Sequence, residues 1–340
     1  MNPGTYQRLF GYQHAFDSRL VLWLTIAVVA VLSLTPLIFL YLQRIGKLNE
    51  KLRRELWMRW ISWAILAPLM IGPILLGAAE TIFAVAILSL LCYREFARAT
   101  GLFRERLVSF LVVVGILLIY FAVLDNWYSF FSALSSLIVG TIAAVSILQD
   151  QPKGYIQRVG LGVIGFMLFG VCLGHLGFLA NDPRFRQILF WIILCVELND
   201  VFAFICGKSF GHRKLAPNTS PNKTIGGSLG ALVLTTFLAA SLERLVFRGT
   251  LLDTWRHALM LGAMISILGQ LGDLLLSSVK RDLGIKDMAA TIPGHGGFLD
   301  RFNSLLLVSP AVFHYVNYYL GIGLGEQHRI FTLGHFLLIR

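Results

Sequence analysis

The 340-residue sequence predicts an all-α, polytopic integral membrane protein of about ten transmembrane helices joined by polar cytoplasmic connectors. Three observations carry that expectation. Hydrophobic residues make up 56% of the chain and charged residues only 14%, with a mean hydropathy of +0.73, too little polar surface to coat a soluble globule. Long apolar segments recur from end to end. Basic residues concentrate in every second connector between them.

A bilayer core of about 30 Å takes roughly 20 apolar residues per helical crossing. Segments near that length lie at 20–42, 60–77, 81–97, 107–124, 128–148, 159–180, 187–206, 228–247, 258–279 and 304–323. The first is longer than the apolar region of a cleaved signal peptide, about 7 to 15 residues, and is expected to stay as an anchor. The second follows the densest basic stretch, Arg44, Lys47, Lys51, Arg53, Arg54 and Arg59. The first six spans form an N-terminal region, 1–180. The rest, 181–340, carry both polar motifs described below.

Orientation follows from Lys and Arg, which are retained on the cytoplasmic side of membrane ends. The connectors after spans 1, 3, 5, 7 and 9 hold most of the 29 basic residues, including every lysine. Both termini are therefore expected outside. The net charge of +11 is spread over loops beside the spans, not gathered in a soluble domain, so nucleic acid is not an expected partner and anionic headgroups are. Cys92, Cys172, Cys195 and Cys206 are scattered through apolar spans without ligand-like spacing, and read as small buried hydrophobes.

Two connectors, 207–227 and 280–303, are long and rich in special residues. Each follows a span with acids near its inner end: Glu197, Asn199 and Asp200 in one, Asp273 in the other. Asp200 precedes Lys208 by about 12 Å of helix and Asp273 precedes Lys280 by about 10 Å, so the two carboxylates are expected at similar depth. An acid at that depth costs at least about 2.5 kcal/mol. Singly, each could pair with a neighbouring cation or face a watery crevice. Together they favour a cation site, since Mg²⁺ takes oxygen ligands and keeps waters and substrate phosphates. Asp273, Ser277 and Lys280 fall within about 60° on the helix, one polar stripe leading into the second connector.

In that connector Lys280, Arg281, Lys286 and Arg301 supply donors suited to phosphate oxygens. Asp287 and Asp300 can hold a metal or orient those cations. Gly294, Gly296 and Gly297 allow close backbone approach and positive φ. His295, between them, reads as a hydrogen-bond donor to phosphate amid that chemistry. Gly-Lys-Ser at 207–209 is no P-loop, because the glycine that motif needs five residues earlier is Phe202.

The run SxxKRxxGxKDxxxxxPGHGGxLDR from Ser277 to Arg301 resembles the signature of the CDP-diglyceride synthetases, or phosphatidate cytidylyltransferases. A second block, NDxxAFxxGKxxGxxKLAPxxSPxKT from Asn199 to Thr224, is similar to that family's other polar segment. The resemblance implies Mg²⁺-dependent transfer of CMP from CTP to phosphatidic acid, giving CDP-diacylglycerol and pyrophosphate, in a bacterial cytoplasmic membrane with the site facing the cytoplasm. Asp200, Asp273, Asp287 and Asp300 would hold Mg²⁺, with a second cation open. Ser220, Lys223, Lys280, Arg281, Lys286 and Arg301 would bind the phosphates. A homo-oligomer is left open. The chain departs from the family pattern at Asn303 and Gly226, where acids are usual, and at Asn222 and Phe204. The alternatives are a CTP-dependent kinase or nucleotidyltransferase acting on another lipid, and a transporter or scaffold.

Overall fold

The computed structural model describes residues 3–46, 48–294, 296–322 and 329–332, and in them the apolar segments become helices in the expected order. A short α1 (Pro3–Phe10) precedes α2 (Arg19–Arg44), α3 (Glu50–Leu76), α4 (Ala78–Thr100), α5 (Arg106–Leu124) and α6 (Tyr128–Ser146). The sixth span is α7 (Tyr155–Gly165), a π-helical stretch (Phe166–Cys172) and α8 (Leu173–Phe178). Then come α9 (Phe185–Phe210), the strands β1 (Lys214–Ala216) and β2 (Ser220–Thr224), α10 (Ile225–Phe247), α11 (Trp255–Asp282), α12 (Phe298–Phe302) and α13 (Leu305–Leu320).

Among the described residues eight helices are long and apolar enough to cross a bilayer. The two further expected spans are α4 and α13. The first carries Glu80, Arg94, Glu95 and Arg98 within its length, and the second has 16 residues. Helix α3 begins ten residues before the expected span because Asn49 caps it, its side-chain oxygen accepting from Leu52 N–H at 2.8 Å. Lys51, Arg53, Arg54 and Arg59 therefore lie on a helix and not in a loop. Likewise α9 continues through the Gly-Lys-Ser residues, and α11 through Lys280 and Arg281.

The core centres on α4, α6, the π-helical stretch and α8, where Phe96, Phe131, Phe166, Phe169 and Phe178 are fully buried. Helix α2 gives that core only Leu20 and Val21 and turns Val29, Leu37 and Tyr41 outward, as a lipid-facing helix can. The four cysteines are free, and Cys92, Cys195 and Cys206 are buried.

Polar pins fix the helices that bear the intramembrane acids. Asn199 Oδ1 accepts from Thr235 Oγ1 at 3.0 Å and from Ser266 Oγ at 2.7 Å, joining α9 to α10 and α11. Gln270 Nε2 of α11 donates to the Ser228 carbonyl of α10 at 3.3 Å. Such inter-helix bonds are each worth about 0.6–2 kcal/mol in a bilayer, and these set the rotation of α9 and α11 that aims Asp200 and Asp273.

The first long connector holds a hairpin that the sequence analysis did not anticipate. β1 and β2 pair antiparallel, Lys214 opposite Thr224 and Ala216 opposite Ser220. Thr224 caps α10 by accepting from Gly227 N–H at 3.1 Å. Arg281 Nε donates to the Thr219 carbonyl at 3.2 Å, which fastens the hairpin turn to the end of α11.

Candidate active site

A polar cavity of about 140 Å³ forms where α3, α9, α11 and the α12–α13 turn converge. Glu197, Asp200, Asp273, Asp300, Arg301 and Asn303 line its polar side, and Trp63, Leu66, Met70 and Phe302 the rest. Glu197 and Asp200 are three residues apart and so share a face of α9. Two acids expected at one depth from separate spans thus border one space.

Each acid has a different setting. Asp200 is exposed to the cavity mouth. Asp273 is half-enclosed: its Oδ2 forms an ion pair with Lys223 from β2, and its Oδ1 accepts from Asn303 Nδ2 at 2.6 Å. Asn303 Oδ1 accepts in turn from Ser304 N–H at 2.7 Å. The amide therefore turns its nitrogen, and not its oxygen, toward the acid. Where an acid is usual in the resembled pattern, this chain holds a donor that orients Asp273.

Asp300 touches the cavity but is mostly spent on holding the second connector in shape. Its Oδ1 accepts from Lys280 Nζ at 2.8 Å, and its Oδ2 from Met288 N–H at 2.9 Å and Gly297 N–H at 3.0 Å. The carboxylate side chain is 3% exposed and the lysine 12%. Both were expected to bind ligands; here they bind each other. Arg281, besides the hairpin turn, donates to Ile285 O at 3.3 Å. Lys286 and Asp287 are exposed on the connector and do not line the cavity. Ser277 is buried on α11 and Ser220 sits partly covered at the start of β2. His295 lies outside the described residues.

The glycine-rich turn is closed by Ile292 N–H donating to Gly296 O at 2.7 Å, and Gly294 and Gly296 take φ of +74° and +81°. Gly297 does not: its φ is −94°. A Cβ there would lie 2.3 Å from Glu95 Oε2, so the residue is glycine to admit a carboxylate. That carboxylate comes from α4, far away in sequence. Glu95 Oε1 accepts from Thr291 Oγ1 at 2.7 Å and Phe298 N–H at 3.1 Å, and Oε2 from Leu299 N–H at 2.9 Å. Ser62 of α3 also grips the turn, donating to Pro293 O at 2.6 Å.

Glu95, Glu197, Trp63 and Met70 are the site residues that the sequence analysis did not select. Glu197 was visible as an acid one turn from Asp200. Glu95 was not, since REFARAT at a span end is an ordinary run of snorkelling charges. Glu95→Ala leaves three donors unmet, each costing about 1–3 kcal/mol when buried. The variant is expected to unfold several degrees lower in a detergent melt and to lose most turnover, whereas an unchanged melt would show that the turn stands without it.

Gly226 is explained by packing. A Cβ there would approach the Phe210 carbonyl oxygen to 2.6 Å, so this close crossing of α9 and α10 leaves no room for a glutamate.

A family model described as the cytidylyltransferase family matches residues 57–319. The chain is 32% identical to a phosphatidate cytidylyltransferase of Staphylococcus aureus over 256 residues, covering 73% of this chain and 94% of that protein. It is 32% identical to the phosphatidate cytidylyltransferase of Bacillus subtilis over 215 residues, covering 61% and 79%. It is also 30% identical to the uncharacterized protein YnbB of Escherichia coli over 240 residues, covering 68% and 78%.

Proposed function

The chain belongs to the cytidylyltransferase family, and from that premise we propose that it transfers CMP from CTP to phosphatidic acid, releasing pyrophosphate. The observation that carries this reading is the shared acid cavity. Asp200 and Asp273 from separate membrane helices border it together with Arg301, while Lys223 reaches Asp273 from the hairpin. Anionic reactants need cations, and acids beside those cations keep them placed.

The residues present fit a divalent cation. The cavity's donors are carboxylates, an oxygen set of the kind Mg²⁺ takes. Among the described residues no three His, Cys, Asp or Glu side chains cluster closely enough to hold a metal alone; Mg²⁺ commonly takes waters and substrate phosphates as its further ligands. Asp200 and Asp273 would hold it. When bound there, Mg²⁺ would supply charge neutralisation for the triphosphate and the pyrophosphate.

The chain's own residues do the rest. Arg301 and Lys223 bind phosphate oxygens and draw the two anions together. Asn303 keeps Asp273 oriented, and the Lys280–Asp300 pair with Glu95 keeps the connector that bears Arg301 in place. An oxygen of the lipid phosphate attacks the α-phosphorus of CTP, and the bond from that phosphorus to the β-bridging oxygen breaks in line. The attacking oxygen is already ionised, so no general base is required. The basic connectors argue that the cavity faces the cytoplasm of a bacterial cell, where CTP is available.

Purified protein with Mg²⁺, dioleoyl phosphatidic acid and CTP labelled at either the α- or the γ-phosphorus tests this reaction. The α-label is expected in the lipid and the γ-label in pyrophosphate. Label from the γ-phosphorus in the lipid, or none from either position, would contradict it.

A further inference from the structure

Two apolar grooves flank α3, and both share wall residues with the acid cavity. The first, about 660 Å³, lies between α2, α3 and α9 and is walled by residues such as Val28, Leu32, Trp60 and Ile193. The second, about 420 Å³, lies on the α4 side and is walled by Phe83, Ala84 and Leu88 among others. Met70 borders all three spaces. Trp63 and Glu197 also join the first groove to the cavity, and Phe302 joins the second. The α2 wall is held by Trp60 Nε1 donating to Leu32 O at 2.9 Å.

We propose that these grooves receive the two acyl chains of the lipid acceptor, one on each side of α3, with its phosphate in the cavity between them; the proposal rests on the reaction proposed above. A polar chamber with two apolar arms matches an amphiphile with one anionic head and two tails. Arg301 lines the cavity where the phosphate would stand, and Arg59, at the first groove, is paired with Glu55 at 2.6 Å. Moving a chain from bilayer to groove gains little, since both are apolar. The arms act instead by fixing where the phosphate stands, and small misplacements of a reacting group are costly. Helix α2, one wall of the first arm, lies outside the matched residues 57–319. A single-chain lipid would fill one arm and leave its phosphate loosely held.

The test compares dioleoyl phosphatidic acid, water-soluble dihexanoyl phosphatidic acid and oleoyl lysophosphatidic acid in the full-length protein and in the groove-filling variants Val28→Trp and Ala84→Trp. Each variant is expected to lower kcat/KM for the dioleoyl lipid about tenfold or more while changing that for the dihexanoyl lipid less than about twofold. In the parent chain the lysolipid is expected to run about tenfold below the dioleoyl lipid. Equal losses on long and short acceptors, no loss on either, or a lysolipid as good as the diacyl one would each overturn the two-armed cradle alone. Failure of the parent chain with every acceptor would overturn the reaction and the cradle with it.

Discussion

Asp273→Asn is expected to lower kcat/KM for CTP about a thousandfold, the scale of losing a preorganised charge at a reacting centre, while the protein still expresses and melts near its parent temperature. Asp273 faces a donor on each side, Lys223 at Oδ2 and Asn303 Nδ2 at Oδ1. An amide cannot accept from both, so whichever way it turns, one NH₂ meets another donor, and the charge that would hold a cation is gone. Helix α11 keeps its place regardless, because Ser266 still ties it to Asn199 of α9 and Gln270 to the Ser228 carbonyl of α10. Turnover within tenfold of the parent would remove Asp273 from the site.

The second large effect is on stability. Asp300→Asn removes the charge that compensates Lys280 and leaves one acceptor oxygen where three donors now converge. Breaking a buried ion pair by altering one partner costs about 3–5 kcal/mol, and the side chains here are 3% and 12% exposed. A marked drop in the detergent melting temperature is expected, with activity falling in parallel as the connector loosens. Lys280→Met alongside Asp300→Leu should restore part of the melt by removing both charges, without restoring turnover. An unchanged melt in the single variant would mean that Asp300 is not the clamp described here.

Asp200 and Asp273 were legible in the sequence because acids in apolar helices are expensive and two at one depth rarely coincide by chance. Their neighbours were less so. Spacing alone could not show that Lys280 and Asp300, 20 residues apart, would pair with each other. It could not show that Asn303 would present its nitrogen to Asp273, since that orientation is set by the Ser304 backbone. Glu95 escaped because two of its three donors are backbone N–H groups more than 200 residues away, and backbone donors leave no mark in the sequence. The same contact explains Gly297, which looked like a flexible turn residue and proves to be a close-approach residue. The hairpin was missed because Pro217 and Pro221 in so short a run mask any strand signal, yet in a two-stranded sheet both strands are edges, where proline is tolerated. Helix order was legible throughout, since apolar length is the strongest signal a membrane chain carries.

Manganese, a paramagnetic stand-in for magnesium, tests the central claim most directly. Bound Mn²⁺ is counted by electron paramagnetic resonance in the purified protein with CTP present, in the parent chain and in Asp273→Asn. The account predicts a protein-bound Mn²⁺·CTP population in the parent that falls to the level of free nucleotide in the variant. Equal populations in the two proteins would contradict it.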